Sequence, residues 1–291
     1  FIPEIYSKKV QIALRKAAVA EAICNTDYMG EISNFGDTVN IIKEPQIAVA
    51  DYTRGLAVTS TNLTDQELVL TIDQAKSFSF KLDDLERRFS HVNFQAVASD
   101  NAAYALRDAM DSNILTAIRA GATVNTGMGT TGTPIDIGFT GSKVDPLNQM
   151  ALAAKELDEA NAPEEGRWFV AAPEWYNALS NSSSKLLSVD FNAGQGSIRN
   201  GLVASGLLRG FQMYKSNNLP TNDLSGANPA GSATAPVALF GHISAVSAAS
   251  SMNKVETIRD TGTFSDIVRG LMVWGRKVLR PEIVGKIHYV V

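Results

Sequence analysis

Cysteine is nearly absent from this chain, and so are several other features that mark common protein classes. The 291 residues include one cysteine, Cys24, so no disulfide can form within the chain. Charged residues make up 19% and the formal net charge is -4, which argues against a surface built to neutralise nucleic-acid phosphates. No apolar run reaches membrane-spanning length. With 45% apolar residues, we expect a globular protein with a sizeable core and no membrane contact.

Motifs of enzyme active sites are also missing. The three histidines, His91, His242 and His288, are isolated, and none has the spacing of a metal-binding pair. The glycine-rich stretch 127–141 lacks the lysine of a phosphate-binding loop. The sequence therefore predicts no catalytic or metal-binding residues and no cofactor.

An enzyme with an unrecognised site is the alternative from another functional class. One predicted helix supplies four carboxylates, Asp145, Glu156, Asp158 and Glu159. Their spacing fits a solvated helix face better than a pair of acid and base groups.

The most regular pattern in the chain is an alternation of apolar and polar residues between residues 37 and 82. A period of two predicts half-buried strands, here Thr38–Tyr52 and Leu68–Leu82. The segment between them contains Gly55 among threonines and serines, which predicts a turn. At about 3.3 Å per residue, strands of this length would reach roughly 50 Å, about the width of a compact chain of this size.

Two interpretations of this hairpin are open. A two-stranded ribbon is only marginally stable in water by itself, so it could pack on another copy of the same protein. Alternatively, both strands could join a larger sheet in the chain's own core. The alternation alone fits both.

The rest of the chain mixes helices with strands. Apolar stripes predict helices over 3–23, 93–120 and 145–161, the second about 40 Å long. The predicted later strands are 168–172, 211–215, 237–240, 245–249, 254–259, 271–281 and 283–291. Because the C-terminal strands follow one another without intervening helices, we predict an α+β fold rather than a doubly wound parallel sheet.

Six short motifs occur along the chain in a fixed order. They are Phe1–Lys9, Asn25–Tyr28, Gly36–Ile41, Phe78–Asp84, Gly210–Pro220 and Phe264–Leu271. Together with the hairpin and the long helix, they resemble the major capsid proteins of tailed bacteriophages, which have the Hong Kong 97-like fold. The resemblance covers most of the chain.

The resemblance implies a division of the chain into four parts, in which residues from Lys254 onward complete the sheet of the peripheral domain. The parts are an N-terminal arm with its connector (1–36), an extended loop formed by the hairpin (37–82), a peripheral domain (83–142 and 251–291, with a spine helix at 93–120) and an axial domain (143–250). The extended loop would reach over an adjacent subunit.

Several charged residues and one tryptophan are candidates for contacts between subunits. A charge cluster at 83–88, at the foot of the predicted hairpin, could form ion pairs with a neighbour or simply be a solvated helix start. Such exposed pairs are each worth under about 1 kcal/mol, so they would set register more than affinity. Trp175 could be a core anchor or an interface residue. The candidates are Lys43, Arg54, Asp65, Lys76, Asp83, Asp84, Arg87, Arg88 and Trp175.

These observations together predict a structural protein. The chain would assemble with itself as hexamers and pentamers into the icosahedral shell around the genome of a tailed double-stranded DNA phage, in the cytoplasm of the bacterial host. Expected partners are a separate scaffolding protein, a portal and decoration proteins, while packaged DNA would be enclosed without sequence-specific binding. The shell of a cellular nanocompartment is the alternative with the same fold.

Overall fold

A computed structural model gives the structure of the protein in a series of stretches. The residues that it describes are 16, 18–27, 38–43, 47, 49, 51, 54–55, 66–84, 94–123, 126–139, 141–180, 207–220 and 237–291. Most of the predicted first helix, over 3–23, lies outside them.

Ten strands and four helices form within the described residues. The strands are β1 (Thr38–Lys43), β2 (Gln66–Thr71), β3 (Gln74–Asp83), β4 (Ile135–Asp136), β5 (Arg167–Ala171), β6 (Gln212–Lys215), β7 (Val237–His242), β8 (Val246–Arg259), β9 (Ser265–Val278) and β10 (Val284–Val290). The helices are α1 (Ala20–Ile23), α2 (Phe94–Gly121), α3 (Pro146–Glu159) and α4 (Pro173–Leu179), with 3-10 turns at Ile243–Ala245 and Pro281–Ile283. The α+β prediction is confirmed, and the two long predicted helices correspond to α2 and α3.

The second strand of the hairpin ends earlier than the alternation predicted. β1 and β2 pair with each other in an antiparallel two-stranded sheet. The chain then leaves the hairpin at residues 72–73, and β3 pairs with β9 near the C-terminus instead. The prediction of one strand over Leu68–Leu82 is therefore wrong. Alternation reports which side chains are buried, but it does not identify the strand's partner.

The second sheet is antiparallel, with the order β3–β9–β8. β8 is one continuous strand where the sequence predicted two, because the irregularity between Met252 and Lys254 shifts the register without ending the pairing. Residues 260–264 connect β8 to β9 at the end of the sheet where β3 also ends.

The third sheet has five strands in the order β4–β10–β7–β5–β6. β10 runs antiparallel to β7 and parallel to β4. The prediction that β10 completes the same sheet as the residues from Lys254 onward is therefore wrong. Pro281 has no N–H group with which to continue the pairing of β9, and the 3-10 turn that contains it redirects the chain into the other sheet.

Local chemistry sets the limits of the helices. Asp145 caps α3, since its carboxylate accepts a hydrogen bond from the backbone N–H of Leu147 at 2.7 Å and Pro146 stands in the first turn. α2 ends at Gly121, where a Cβ atom would lie 2.7 Å from Cγ2 of Val278. Glycine therefore allows the end of α2 to approach β9 closely.

One hydrophobic core joins α2, α3 and α4 to both larger sheets. Its aromatic centre includes Trp175, whose ring centroid lies 5.2 Å from that of Phe169 and 4.9 Å from that of Tyr289. Trp175 is 0% exposed within its own chain. It is therefore a core anchor, and the alternative of an interface residue is wrong because no part of its side chain reaches the surface.

A second, smaller cluster holds the base of the hairpin on the face of the three-stranded sheet opposite α2. Its buried members are Leu70, Ile72, Ala249 and Val273. Gly275 of β9 lies beside this cluster, and a Cβ atom there would be 2.4 Å from the backbone oxygen of Thr71. The hairpin can lie this close to the sheet because position 275 has no side chain.

A buried carboxylate on α2 ties three segments together. Asp111 is 1% exposed, and its Oδ1 atom accepts hydrogen bonds from the backbone N–H groups of Val19 and Ala20, both at 2.7 Å. Its Oδ2 atom accepts a hydrogen bond from Nδ2 of Asn218 at 2.9 Å. The carboxylate thus caps α1 from outside. Burial, with a smaller contribution from the Asp111 charge, raises the pKa of Cys24 to about 12, so this thiol stays protonated.

Replacing Asp111 should destabilise the protein strongly. In Asp111→Ala, three donors lose their acceptor in a buried site, so we expect the free energy of unfolding in urea to fall by about 3 kcal/mol or more. Asp111→Asn keeps one acceptor oxygen and should lose less. The control is Asp108→Ala about one turn earlier, whose side chain is 30% exposed. It removes the second acceptor of Asn218 Nδ2, at 2.6 Å, but keeps the bonds from Val19 and Ala20 to Asp111. Equal losses in Asp108→Ala and Asp111→Ala would contradict the proposed anchor.

Gly275→Ala should loosen the base of the hairpin. The added methyl group would overlap the Thr71 carbonyl, so we expect a loss of about 1–3 kcal/mol in unfolding free energy and faster proteolysis within the hairpin. Gly132→Ala is the matched control, because an added Cβ there meets no atom within 4 Å. If both variants have the unfolding free energy and the cleavage rate of the wild type, the close contact at Gly275 does not stabilise the hairpin.

Candidate assembly surface

The hairpin presents large apolar side chains that its own chain leaves exposed. One face of β1 is half-buried against the cluster at the hairpin base. On the opposite face, Ile42 is 74% exposed and Val69 is 40% exposed. Farther along the chain, Ile47 is 73% and Val49 is 96% exposed. Exposed apolar side chains next to one another on a hairpin, as with Ile42 and Val69, are typical of a contact surface.

An ion pair helps to fix the direction in which the hairpin leaves the sheet. Nη1 of Arg276 lies 3.0 Å from Oδ1 of Asp73, directly after Ile72, which is 1% exposed. The Asp73 side chain is 54% exposed, so the pair orients the chain more than it stabilises it. The buried Ile72 side chain supplies the cohesion.

The described members of the predicted charge cluster, Asp83 and Asp84, do not lie at the foot of the hairpin. β3 has 10 residues and leads away from the hairpin, so Asp84 lies about 30 Å from the hairpin base. Its carboxylate bonds to Arg259 of the same chain, with Nη1 to Oδ1 at 2.9 Å, and Arg259 also contacts Asp266 at 3.0 Å. These hydrogen bonds raise the pKa of Arg259 above its ordinary value. The predicted location is wrong because β3 belongs to a different sheet.

A second charged group organises the turn between β8 and β9. The carboxylate of Asp260 accepts hydrogen bonds from Nζ of Lys81, from Oγ1 of Thr263 at 2.7 Å and from the N–H of Gly262 at 3.1 Å. These bonds, with that from Lys81 contributing most, hold the pKa of Asp260 well below its usual range. Sequence reasoning missed this turn, although an aspartate two residues before a glycine is a local signal for it. Phe264, which ends the turn, is 81% exposed.

The other predicted interface residues differ in their exposure to solvent. Arg54 is exposed in a turn with Gly55, whose φ of +91° requires the left-handed conformation that glycine favours. Lys76 is exposed on β3 and borders an open polar groove of about 460 Å³ beside α2. Asp83 is half-buried at the end of β3. The side chain of Lys43 and the residues Asp65, Arg87 and Arg88 lie outside the described part of the chain.

The two described histidines, His242 and His288, are held by contacts within the fold. His242 contacts Oγ of Ser244 with Nδ1 at 2.8 Å and the backbone oxygen of Glu165 with Nε2 at 2.7 Å. His288 is 1% exposed, and burial, with the charges of Arg119 and Lys286, lowers its pKa to about 4. His91 lies outside the described residues. Among the described residues, no group of three or more histidine, cysteine, aspartate or glutamate side chains could hold a metal ion.

Three of the four carboxylates considered for an enzyme make structural contacts. Asp145 is the cap of α3, Asp158 contacts the buried guanidinium of Arg167 at 2.7 Å, and Glu159 pairs with Lys155 at 3.2 Å. Each of these three contacts serves helix α3 itself or its attachment to β5. Within the described ranges, the helices are also too short or too polar to span a membrane.

Comparisons with known proteins agree with this architecture. A family model described as phage capsid protein matches residues 65–287. A chain from Mycobacterium phage Che8 is 30% identical, with a TM-score of 0.82 over 99% of this chain and 97% of that one. The comparison with curated proteins gives no match.

More distant solved structures share the fold. The capsid of the cyanophage P-SCSP1u gives a TM-score of 0.74 at 23% identity over 99% of this chain and 93% of that one. A capsid chain of an empty GTA particle gives 0.68 at 11% identity over 100% and 96% of the two chains. The family match over most of the sequence and the likeness to the Che8 chain show that this protein belongs to the phage capsid protein family and is a structural shell protein with the Hong Kong 97-like fold.

Proposed function

We propose that this capsid protein encloses the genome of a tailed double-stranded DNA phage by closing its shell with the hairpin of each copy laid across a neighbouring copy. The supporting observation is the hairpin itself, which is buried at its base and exposes Ile42 at 74% and Val69 at 40%. Burying a side chain of this size contributes about 1.5–3 kcal/mol. Repeated in every copy, this gain would hold the shell together.

The division of labour along the chain is part of the same proposal. Residues 1–36 act as an N-terminal arm, residues 37–82 as the extended loop, residues 83–142 with 251–291 as the peripheral domain, and residues 143–250 as the axial domain. Two observations modify its boundaries, since β3 begins at Gln74 within the second sheet and β10 belongs to the five-stranded sheet.

The charged interface candidates would set register between copies. Arg54 and Lys76 are exposed and suit such contacts, and Lys43, Asp65, Arg87 and Arg88 stay in the proposal on their sequence positions. Asp84 is already bonded to Arg259 within its own chain, so its contribution to a neighbour would be indirect. Weak pairs of this kind select an arrangement more than they supply affinity.

The copies would form hexamers and pentamers in the bacterial cytoplasm and end in the virion. A separate scaffolding protein, a portal and decoration proteins are further partners in this proposal, while the chain's own contacts would suffice to form shells. With a net charge of -4, the chain suits a container that confines DNA without sequence-specific binding, and it would carry out no catalysis. The nanocompartment alternative is not favoured, because the matching family is one of phage capsid proteins.

Replacing the exposed apolar residues of the hairpin should impair assembly and leave the fold intact. In the double variant Ile42→Ser and Val69→Ser, we expect the protein concentration needed for assembly to rise about tenfold or more, because less apolar surface is buried between copies. Sedimentation and negative-stain microscopy of purified protein would measure it.

The control for this variant is Asn40→Ser, on the same face of the hairpin, which removes no apolar surface. Thermal unfolding of the unassembled chains should be alike for all three proteins. Shell formation by the double variant at wild-type concentrations would show that the hairpin does not supply the contact.

A further inference from the structure

The aromatic side chain of Phe264 stands exposed at the end of the three-stranded sheet farthest from the hairpin. Phe264 is 81% exposed, and it lies where the turn of residues 260–264 enters β9. β3, with 10 residues, separates this end from the hairpin base by about 30 Å. The turn is therefore a surface distinct from the hairpin.

The backbone around Phe264 is held on both sides. Its carbonyl oxygen accepts a hydrogen bond from the N–H of Asp84 at 3.0 Å, and the N–H of Asp260 bonds to the carbonyl of Ser265 at 3.0 Å. The Asp260 carboxylate fixes the interior of the turn through Lys81, Thr263 and Gly262. An aromatic side chain on a fixed backbone loses little conformational entropy when it is buried, which is the property of a contact anchor.

The charges beside Phe264 are already engaged within the chain. Asp260 pairs with Lys81, and Arg259 pairs with both Asp84 and Asp266. These ion pairs hold the turn in shape, so their charged groups are less available to bond with a partner. The aromatic ring is what this surface can still bury.

We propose that Phe264 is an anchor for contact with a second copy of this chain, at a surface separate from the hairpin. The inference rests on the proposed function. A closed shell requires more than one kind of contact for each subunit, because one pair of complementary surfaces gives only a ring or an open filament. The hairpin and the Phe264 turn lie at opposite ends of the three-stranded sheet, so each copy can engage two neighbours.

The first test is Phe264→Ser in the full chain. We expect the concentration needed for assembly to rise about tenfold or more, with thermal unfolding of the unassembled chain unchanged. Val255→Ser is the matched control, because Val255 is 57% exposed on β8 of the same sheet but lies outside the turn. If Phe264→Ser assembles like the wild type, or if Val255→Ser fails equally, the inference is overturned.

The second test reports burial directly through Phe264→Trp. The native tryptophans, Trp168, Trp175 and Trp274, are at most 1% exposed, so iodide should quench only the introduced indole in the unassembled chain. We expect this quenching to disappear in shells formed from the pure variant. If the introduced indole stays quenchable in complete shells, no copy covers it and the inference fails.

The third test addresses the positioning of the ring. Asp260→Ala removes the carboxylate that fixes the turn and should weaken assembly while Phe264 is retained. Combined with Phe264→Ser, it should add little, since both changes act on one contact. Fully additive losses would refute this positioning role. Wild-type chain that forms no shells would instead refute the proposed function, so the two failures are distinguishable.

Discussion

The close contact between the hairpin base and β9 is the constraint on which the assembly surface depends. The absence of a side chain at Gly275 lets the Thr71 carbonyl approach the sheet, and Leu70 and Ile72 are buried beside it. This contact uses the apolar residues at the base and leaves those beyond it exposed. The chain therefore stabilises its own fold and at the same time keeps a part of its apolar surface for another molecule.

The three-stranded sheet connects the surfaces that carry this function. The hairpin lies at one end and the turn with Phe264 at the other, while the side facing α2 contributes Met272 and Trp274 to the main core. Packed β-strands with buried faces transmit position with little bending, because a well-packed interior has little room to rearrange. The distance and orientation between the hairpin and the Phe264 turn are thus fixed within one chain before it assembles with another copy.

The sequence predicted the parts of the fold that depend on local periodicity. The helix stripe over 93–120 corresponds to α2, and the buried strand near Trp168 corresponds to β5. It failed where the choice of partner matters, as for β3 and β10, since many strands of similar pattern compete for the same edges. It also missed the structural role of Asp111. That role depends on Val19 and Asn218, which lie next to Asp111 in space although both are distant in sequence.

The sequence by itself determined the class of the protein: an α+β chain without catalytic motifs, whose ordered motifs match one family of capsid proteins. Hydrophobic periodicity and turn residues act over a few positions, so they can be read without coordinates. Only the tertiary structure decided that Trp175 is buried, that Asp84 is bonded to Arg259 and that Phe264 is exposed on a fixed turn. Burial and pairing are properties of residues brought together from distant parts of the chain, and no local pattern specifies them.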